Sequence, residues 1–295
     1  MRKILIIGSK GFIGSSCVSF FSGKNDVVGC DIVPDTSENY FQVHSGEELS
    51  KVISSSSFDI CINASGSAHV GFSFQDPEMD GELNVTNVRR IIDALYEFNP
   101  ACRLINFSSA AVYGNPDVLP VKEDSPLKPL SPYGQNKLIA EKLLANAAAE
   151  KGLRTCSLRV FSVYGPRLHK QIFWDIFQKS RKSNVVRLFG TGKESRDFIF
   201  IEDLLKAVEC ILDHADFRGE VYNVASGIET SIAYAAEIFL SRIDPALTTE
   251  FSGEIKTGDP MNWRADISKI AALGFVPGIS LEEGLKRTAE NYLAT

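Results

Sequence analysis

The chain has 295 residues, 44% of them hydrophobic, and carries 31 basic against 37 acidic side chains for a formal net charge of −6. That length supports either one large α/β unit or a main unit with a smaller companion, and the negative balance argues against nucleic acid as a partner. Six scattered cysteines (Cys17, Cys30, Cys61, Cys102, Cys156, Cys210) and four histidines without paired spacing exclude a disulfide framework and leave no metal site expected.

The opening "MRKILIIGSKGFIG" has a basic start and an apolar run, but glycines interrupt the run and no small-residue cleavage site follows. It reads as a first strand rather than a signal peptide. No window approaches the roughly 18 continuous apolar residues of a membrane helix, so a cytoplasmic protein without membrane contact is expected. "FIGSSCVSFFSG" then reads as a helix, "DVVGCDI" as a strand, "EELSKVISSS" as a helix and "FDICINAS" as a strand. Helical periodicity from Glu78 to Phe98 precedes the strand "CRLINFSS", the long helix opened by "SPYGQNKLIAEK" and the strand "RTCSLRVFSVYG". This alternation predicts a Rossmann-type, doubly wound parallel sheet covered on both faces.

After Pro166 the rhythm changes. "IFWDIFQKSRK" reads as a helix, "VVRLFG" as a short strand and "GTGKES" as a turn, while "IEDLLKAVECILDHA" and "GEVYNVAS" read as a helix and strand returning to the main sheet. The helix "IAYAAEIFLSRI", the polar stretch "GEIKTGDPMNWRADISKIAALGF" and a last helix "SLEEGLKRTAENYL" follow. The expected division is a dinucleotide-binding domain over 1–165, rejoined at about 198–228. A smaller, discontinuous α/β substrate-binding lobe then covers mainly 166–197 and 229–295.

"GSKGFIG" places Gly8, Gly11 and Gly14 between a strand and a helix. Gly8 allows the tight turn, Gly11 the approach of backbone to a pyrophosphate and Gly14 close helix packing, while the amides of Phe12 and Ile13 open the helix toward the phosphates. Asp31 ends the second strand, where a carboxylate accepts from adenosine ribose hydroxyls and repels a 2′-phosphate. NAD is therefore favoured, and Lys10 in the turn keeps NADP open as a cation for an extra phosphate. Ala64, Ser65 and Gly66 let backbone lie against a nicotinamide-side ribose, and Asn84 either fixes that loop or caps the following helix.

Ser131 caps the long helix and Pro132 occupies its first position, so Tyr133 emerges in the first turn and Lys137 one turn later on the same face. A phenol near its ordinary pKa of about 10 is a poor base, and a neighbouring ammonium stabilises the phenolate. Tyr133 can then take a proton from a sugar hydroxyl while Lys137 also bonds the cofactor ribose. Ser109, at the carboxyl end of "RLINFSS", can hold the substrate oxygen.

The motifs "GSKGFIG", "NFSSAAVYG", "YGQNK", "LRVFSVYGPR", "GTGKESRDFIFIEDL", "VYNVASG" and "GDPMNWRADISKIAALGF" resemble the extended short-chain dehydrogenase/reductase family, in its NAD-dependent nucleotide-sugar epimerase and dehydratase branch. The resemblance implies Ser109, Tyr133 and Lys137 as the catalytic set and a nucleotide-diphosphate sugar as substrate. It puts Ser67, Ser162, Arg196 and Lys256 beside Ser109 and Tyr133 at that substrate, with Asp197 orienting Arg196. It gives Asp203 only a helix-capping role, and Tyr113 either the cleft or plain packing. Ser162 and Lys256 depart from the family's usual asparagine and arginine. A homodimer built on the helices near Glu78–Phe98 and Pro132–Glu150 is also implied.

Dehydratases resembling this chain follow the catalytic hydroxyl residue with Asp-Glu, whereas Ser109 is followed here by Ala110 and Ala111, which cannot move protons. The "SSAAVYG" form instead resembles C4 epimerases, and the resemblance implies 4-epimerisation through a 4-keto sugar. The alternatives are an NAD(P)H-dependent reductase of nucleotide 4-keto-6-deoxysugars, for which Lys10 speaks, a uronic-acid decarboxylase, and a non-catalytic NAD-binding protein.

Overall fold

The computed structural model describes residues 1–254, 258 and 260–295. They form two compact units. The first comprises Met1–Tyr113, Pro129–Arg159 and Leu212–Tyr222, and the second Gly114–Lys128, Val160–Ile211 and Asn223–Thr295.

The chain opens with β1 (Lys3–Ile7), α1 (Phe12–Phe21), β2 (Asp26–Asp31), β3 (Tyr40–Gln42), α2 (Gly46–Ser54) and β4 (Ile60–Asn63). Next come α3 (Val70–Gln75), α4 (Pro77–Gly81), a π-helical turn (Glu82–Thr86) and α5 (Asn87–Phe98). They lead to β5 (Arg103–Ser109), a 3₁₀ turn (Ala110–Val112), α6 (Pro132–Lys151) and β6 (Arg154–Val160). The remainder holds β7 (Ser162–Tyr164), α7 (Gln171–Ser180), β8 (Val185–Leu188), β9 (Ser195–Phe200), α8 (Ile201–His214) and β10 (Arg218–Val224). It closes with β11 (Glu229–Ser231), α9 (Ile232–Ile243), β12 (Thr248–Phe251), α10 (Ser268–Ala271) and α11 (Leu281–Leu293).

Among the described residues the main sheet has seven strands in the order β10-β6-β5-β4-β1-β2-β3, and β1 to β5 pair in parallel. The chain starts at β1, moves outward through β2 and β3, and returns to the other side through β4. The direction of winding therefore reverses between β1 and β4, which is where ligands of such sheets bind, beyond the carboxyl ends of the strands. On one face, Leu5, Val28 and Leu104 pack with Ile53, Ile91, Leu95 and Leu144 of the covering helices. The architecture is Rossmann-like, with an additional smaller lobe of mixed α/β structure.

That smaller lobe has a three-stranded sheet ordered β11-β9-β7 and a two-stranded β12-β8 pair. Its core is aromatic: Phe173 lies 5.2 Å from both Phe198 and Phe239, and Phe177 lies 5.3 Å from Tyr292, measured between ring centroids.

Two expectations change. The strand read through "RTCSLRVFSVYG" breaks at Phe161, whose N–H donates to Val224 O at 3.1 Å, so β6 and β7 belong to different sheets. The periodic stretch from Glu78 to Phe98 is helical but contains the π turn, which inserts a residue into the register. No helix among the described residues is long and apolar enough to cross a membrane.

Candidate active site

The glycine turn is built by contact rather than by flexibility alone. Gly8 has φ 78°, and a Cβ there would lie 2.6 Å from Ser65 N across the switch point, while a Cβ on Gly14 would lie 2.0 Å from Gly8 O. Both positions therefore exclude a side chain. Gly11 is the N-cap of α1 and no side chain caps this helix, so its first-turn amides face outward as donors for an anion. Phe12 and Ile13, both half-buried, carry two of them.

Asp31 is fixed at the end of β2 by N–H donors from Lys10 at 2.8 Å, Ile32 at 2.7 Å and Val33 at 3.3 Å. The Lys10 ammonium pairs with Asp35 and lies 4.8 Å from the Tyr40 ring centroid. Lys10 is thus neither simply solvent-facing nor an uncompensated cation, and the argument for an extra phosphate weakens.

At the end of β4, Ser65 donates through N and Oγ to Asn63 Oδ1 at 3.1 and 2.5 Å, and Asn87 Nδ2 donates to Ser65 Oγ at 2.8 Å. Ala64 and Ser65 are half-buried, Gly66 is exposed and Ser67 is half-buried. Gly66 has φ 106°, and a Cβ on it would meet Asn84 Oδ1 at 2.6 Å. Asn84 caps nothing: it sits inside the π turn, in a helical run that begins at Pro77 and is capped by Asp76. Its Nδ2 donates to Asp80 Oδ1 at 3.2 Å, whereas its buried Oδ1 has no hydrogen-bond partner among the described residues. An acceptor left in this state is costly and fits a donor such as a ribose hydroxyl.

The reacting end starts at α6. Ser131 Oγ accepts from Gly134 N at 3.1 Å, Pro132 takes the first position, and Gly152 closes the helix in the left-handed region at φ 68°. A Cβ on Gly134 would lie 2.7 Å from Ala111 O, so the first turn rests directly on the loop that follows Ser109. Tyr133 and Ser109 share a hydrogen bond. Lys137 Nζ donates to Phe107 O at 3.0 Å and lies 5.8 Å from the Tyr133 ring centroid.

The electrostatics differ from the simple expectation of an activated phenol. Burial pushes Tyr133 up to about 12, opposed by the Ser109 hydrogen bond and reinforced by Asp80. Burial also pushes Lys137 down to about 8, against the raising influence of Asp80 and then Glu141. In the protein alone the lysine is therefore charged at pH 7 and the tyrosine neutral.

Two buried groups escaped the sequence reading. Glu141 accepts from Arg159 Nε at 3.0 Å and Nη2 at 2.8 Å, and from Ser108 Oγ at 2.5 Å. Arg159 Nη1 also donates to Tyr113 Oη at 2.8 Å. Tyr113 is wholly buried, which decides for packing over the cleft. Asp80 is the second, also wholly buried, with Asn136 Nδ2 donating to its Oδ2 at 2.8 Å. The spacing of Lys137 and Glu141 along one helix hints at the first, and no local signal marks the second.

Ser162 and Arg196 belong to the second unit, on β7 and the adjacent β9, both half-buried. Arg196 lies 5.6 Å from the Trp263 ring centroid, and its Nη1 donates to Ser195 O at 2.8 Å. Asp197 does not orient it. That carboxylate instead accepts from Ser226 N and Oγ at 2.9 and 2.8 Å, Gly227 N at 3.0 Å and Ala265 N at 3.0 Å. Strand alternation turns Arg196 and Asp197 to opposite faces, so adjacency in sequence misleads. Asp203 stands inside the first turn of α8 rather than at its cap, and its Oδ2 accepts from Gly278 N at 3.0 Å and Ile279 N at 2.8 Å. Lys256 lies outside the described residues.

A doubly wound sheet with a glycine turn at its reversal, and a Ser-Tyr-Lys set beside it, defines a class of nucleotide-dependent redox folds. Residues 4–225 match the model of the NAD dependent epimerase/dehydratase family, and the chain belongs to that family. It is 28% identical over 307 residues to a UDP-glucose 4-epimerase of Lactobacillus helveticus, covering 93% of this chain and 92% of that one. The structure of UDP-glucuronic acid 4-epimerase from Bacillus cereus, in complex with UDP-glucuronic acid and NAD, superposes with a TM-score of 0.89. The two share 26% identity, with 99% of each chain covered. That of UDP-N-acetylglucosamine 4-epimerase from Methanobrevibacter ruminantium, in complex with UDP-N-acetylmuramic acid, gives 0.89 at 25% identity, covering 99% and 98%.

Proposed function

We propose that this chain is an NAD-dependent nucleotide-sugar 4-epimerase, acting by reversible hydride transfer at sugar C4 through a 4-keto intermediate. The observation that carries the reading is the Ser109–Tyr133 hydrogen bond beside a buried, charged Lys137, followed by two alanines where dehydration would need acid and base. The 4-epimerase relatives of similar length support it. Bound NAD supplies a nicotinamide that accepts a hydride and returns it.

The chain's own residues do the rest. Gly8, Gly11 and Gly14 with the α1 amides of Phe12 and Ile13 hold the pyrophosphate, and Asp31 takes the adenosine ribose, which favours NAD over NADP. Ala64, Ser65, Gly66, Asn84 and Lys137 line the nicotinamide-side ribose. Ser109 fixes the C4 oxygen while Tyr133 removes its proton and later gives it back. A neutral phenol near 12 needs help for this. Lys137 supplies the positive charge, as general-base catalysis demands a pKa brought toward the working pH. Ser67, Ser162, Arg196 and Lys256 bind the nucleotide diphosphate and sugar, Arg196 through the forked geometry that matches phosphate oxygens. Exposed Met79, Leu83 and Ile139 on the helical stretch after Pro77 and on α6 support a homodimer, which sedimentation would test.

The test is to incubate the purified protein with a panel of nucleotide sugars without added cofactor and separate the products. Interconversion of C4 isomers is expected. Turnover only of a 4-keto sugar with stoichiometric NADPH would replace this reading with the reductase. Cofactor binding without any turnover would replace it with a non-catalytic protein.

A further inference from the structure

The polar groups around the reactive helix start are not equivalent. Among the described residues three ionisable side chains face Lys137: Tyr133 one turn before it, Glu141 one turn after it, and Asp80 from α4. Glu141 is already matched by the Arg159 guanidinium and by Ser108. Among the described residues no cation is hydrogen-bonded to Asp80. Among the described residues its carboxylate accepts from two neutral amides, Asn136 Nδ2 at 2.8 Å and Asn84 Nδ2 at 3.2 Å, and it is 0% exposed. Asn136 stands between Tyr133 and Lys137 in the first two turns of α6, and Asn84 is the residue whose other amide atom points at Gly66.

We propose that Asp80 is a positioning residue of this site: a buried carboxylate that supplies the counter-charge of Lys137 and, through Asn136 and Asn84, ties α6 to the helical run that begins at Pro77. A carboxylate is retained in a buried site at real cost unless something compensates it. Two neutral amides give each oxygen one donor without cancelling the charge, so that charge acts on the nearest cation. Its influence raises both Lys137 and Tyr133. The ammonium is thereby kept charged despite burial, while Tyr133 is kept protonated until further positive charge arrives. The inference about catalysis rests on the function proposed above, but the charge coupling does not.

Two measurements separate them. In the cofactor-free protein, the Lys137 ¹³Cε shift, assigned by its loss in Lys137→Met, is followed against pH in the parent and in Asp80→Asn. The asparagine variant should titrate about one unit lower. In the holoenzyme, both limbs of the pH–kcat profile should move to lower pH by a similar amount, whereas a purely structural role would scale the profile without moving it. The exchange variant Asp80→Asn/Asn136→Asp carries the carboxylate across the same hydrogen bond and should restore the parent midpoint. A midpoint in Asp80→Asn equal to the parent's, or no restoration by the exchange, would overturn the proposal. Asp80→Ser is a second neutral replacement read in the same way, and if neither neutral variant folds, Asp80 is architectural and the proposal fails. Because the lysine titration needs no substrate, it decides the coupling even if the protein epimerises nothing.

Discussion

Asp80 and Asp197 are both wholly buried carboxylates, yet they are held in opposite ways. Asp197 receives backbone N–H groups from Gly227 and Ala265 and both donors of Ser226, and so fastens two loops to β9 within its own unit. Asp80 receives side-chain amides and neighbours a buried lysine. An acid clamped by backbone serves the fold, because its partners cannot be exchanged without moving the chain. An acid clamped by side chains leaves its charge available to a neighbour.

The contrast can be broken most forcefully on the reactive side. Tyr133→Phe should lower kcat by about 10²–10⁴ while thermal melting stays at the parent temperature, since only the hydroxyl and its bond to Ser109 are lost. A variant that unfolds instead would erase the distinction between the two regions. On the other side, Asp197→Ala leaves four donors without their acceptor and should cost about 3 kcal/mol by urea denaturation. A loss within the range of surface substitutions would show the backbone clamp to be dispensable.

The same carboxylate gives a pH signature. Burial raises Asp197 from 3.8 to about 6, against the hydrogen bonds it receives. The folded protein then binds this proton more tightly than the unfolded chain, so the contribution to stability is full below 3.8 and is lost as pH rises through about 6. The stability advantage of the parent over Asp197→Ala should therefore shrink between about pH 4 and about pH 7, as read from paired melting curves. The smallest effect is expected at Lys10. Lys10→Ala removes a part-exposed pair with Asp35, should cost less than about 1 kcal/mol, and should leave the ratio of NAD to NADP affinity unchanged by calorimetry.

What the sequence reveals about this molecule follows the range of the contacts. The glycine turn and the Ser131-Pro132-Tyr133-Lys137 helix start are legible because cap, first turn and one-turn spacing are local geometry. The parallel sheet is legible from alternating apolar runs. Asp80 is not, since its partner Asn136 stands 56 residues away, nor are the donors to Asp197, up to 68 residues distant. The short strands β3, β11 and β12 offer three or four residues each, too few for a period to show. The surroundings of Lys10 are hidden for a related reason: a lysine in a turn announces a charge, but only folding reveals that Asp35 meets it.

The five-residue π turn after α4 carries a consequence for lineage and engineering. Wound into a regular α-helix, one surplus residue would rotate everything before it by about 100°, and the wide turn absorbs that residue instead. Deleting a single residue between 82 and 86 should therefore return the run to α-helix with Asp80 still turned to Asn136 of α6 and α5 where it is. The surroundings of Lys137 should thus survive the loss of one codon in that turn, whereas a loss on the α-helical stretch between Asp80 and the turn has no such wide turn to absorb it.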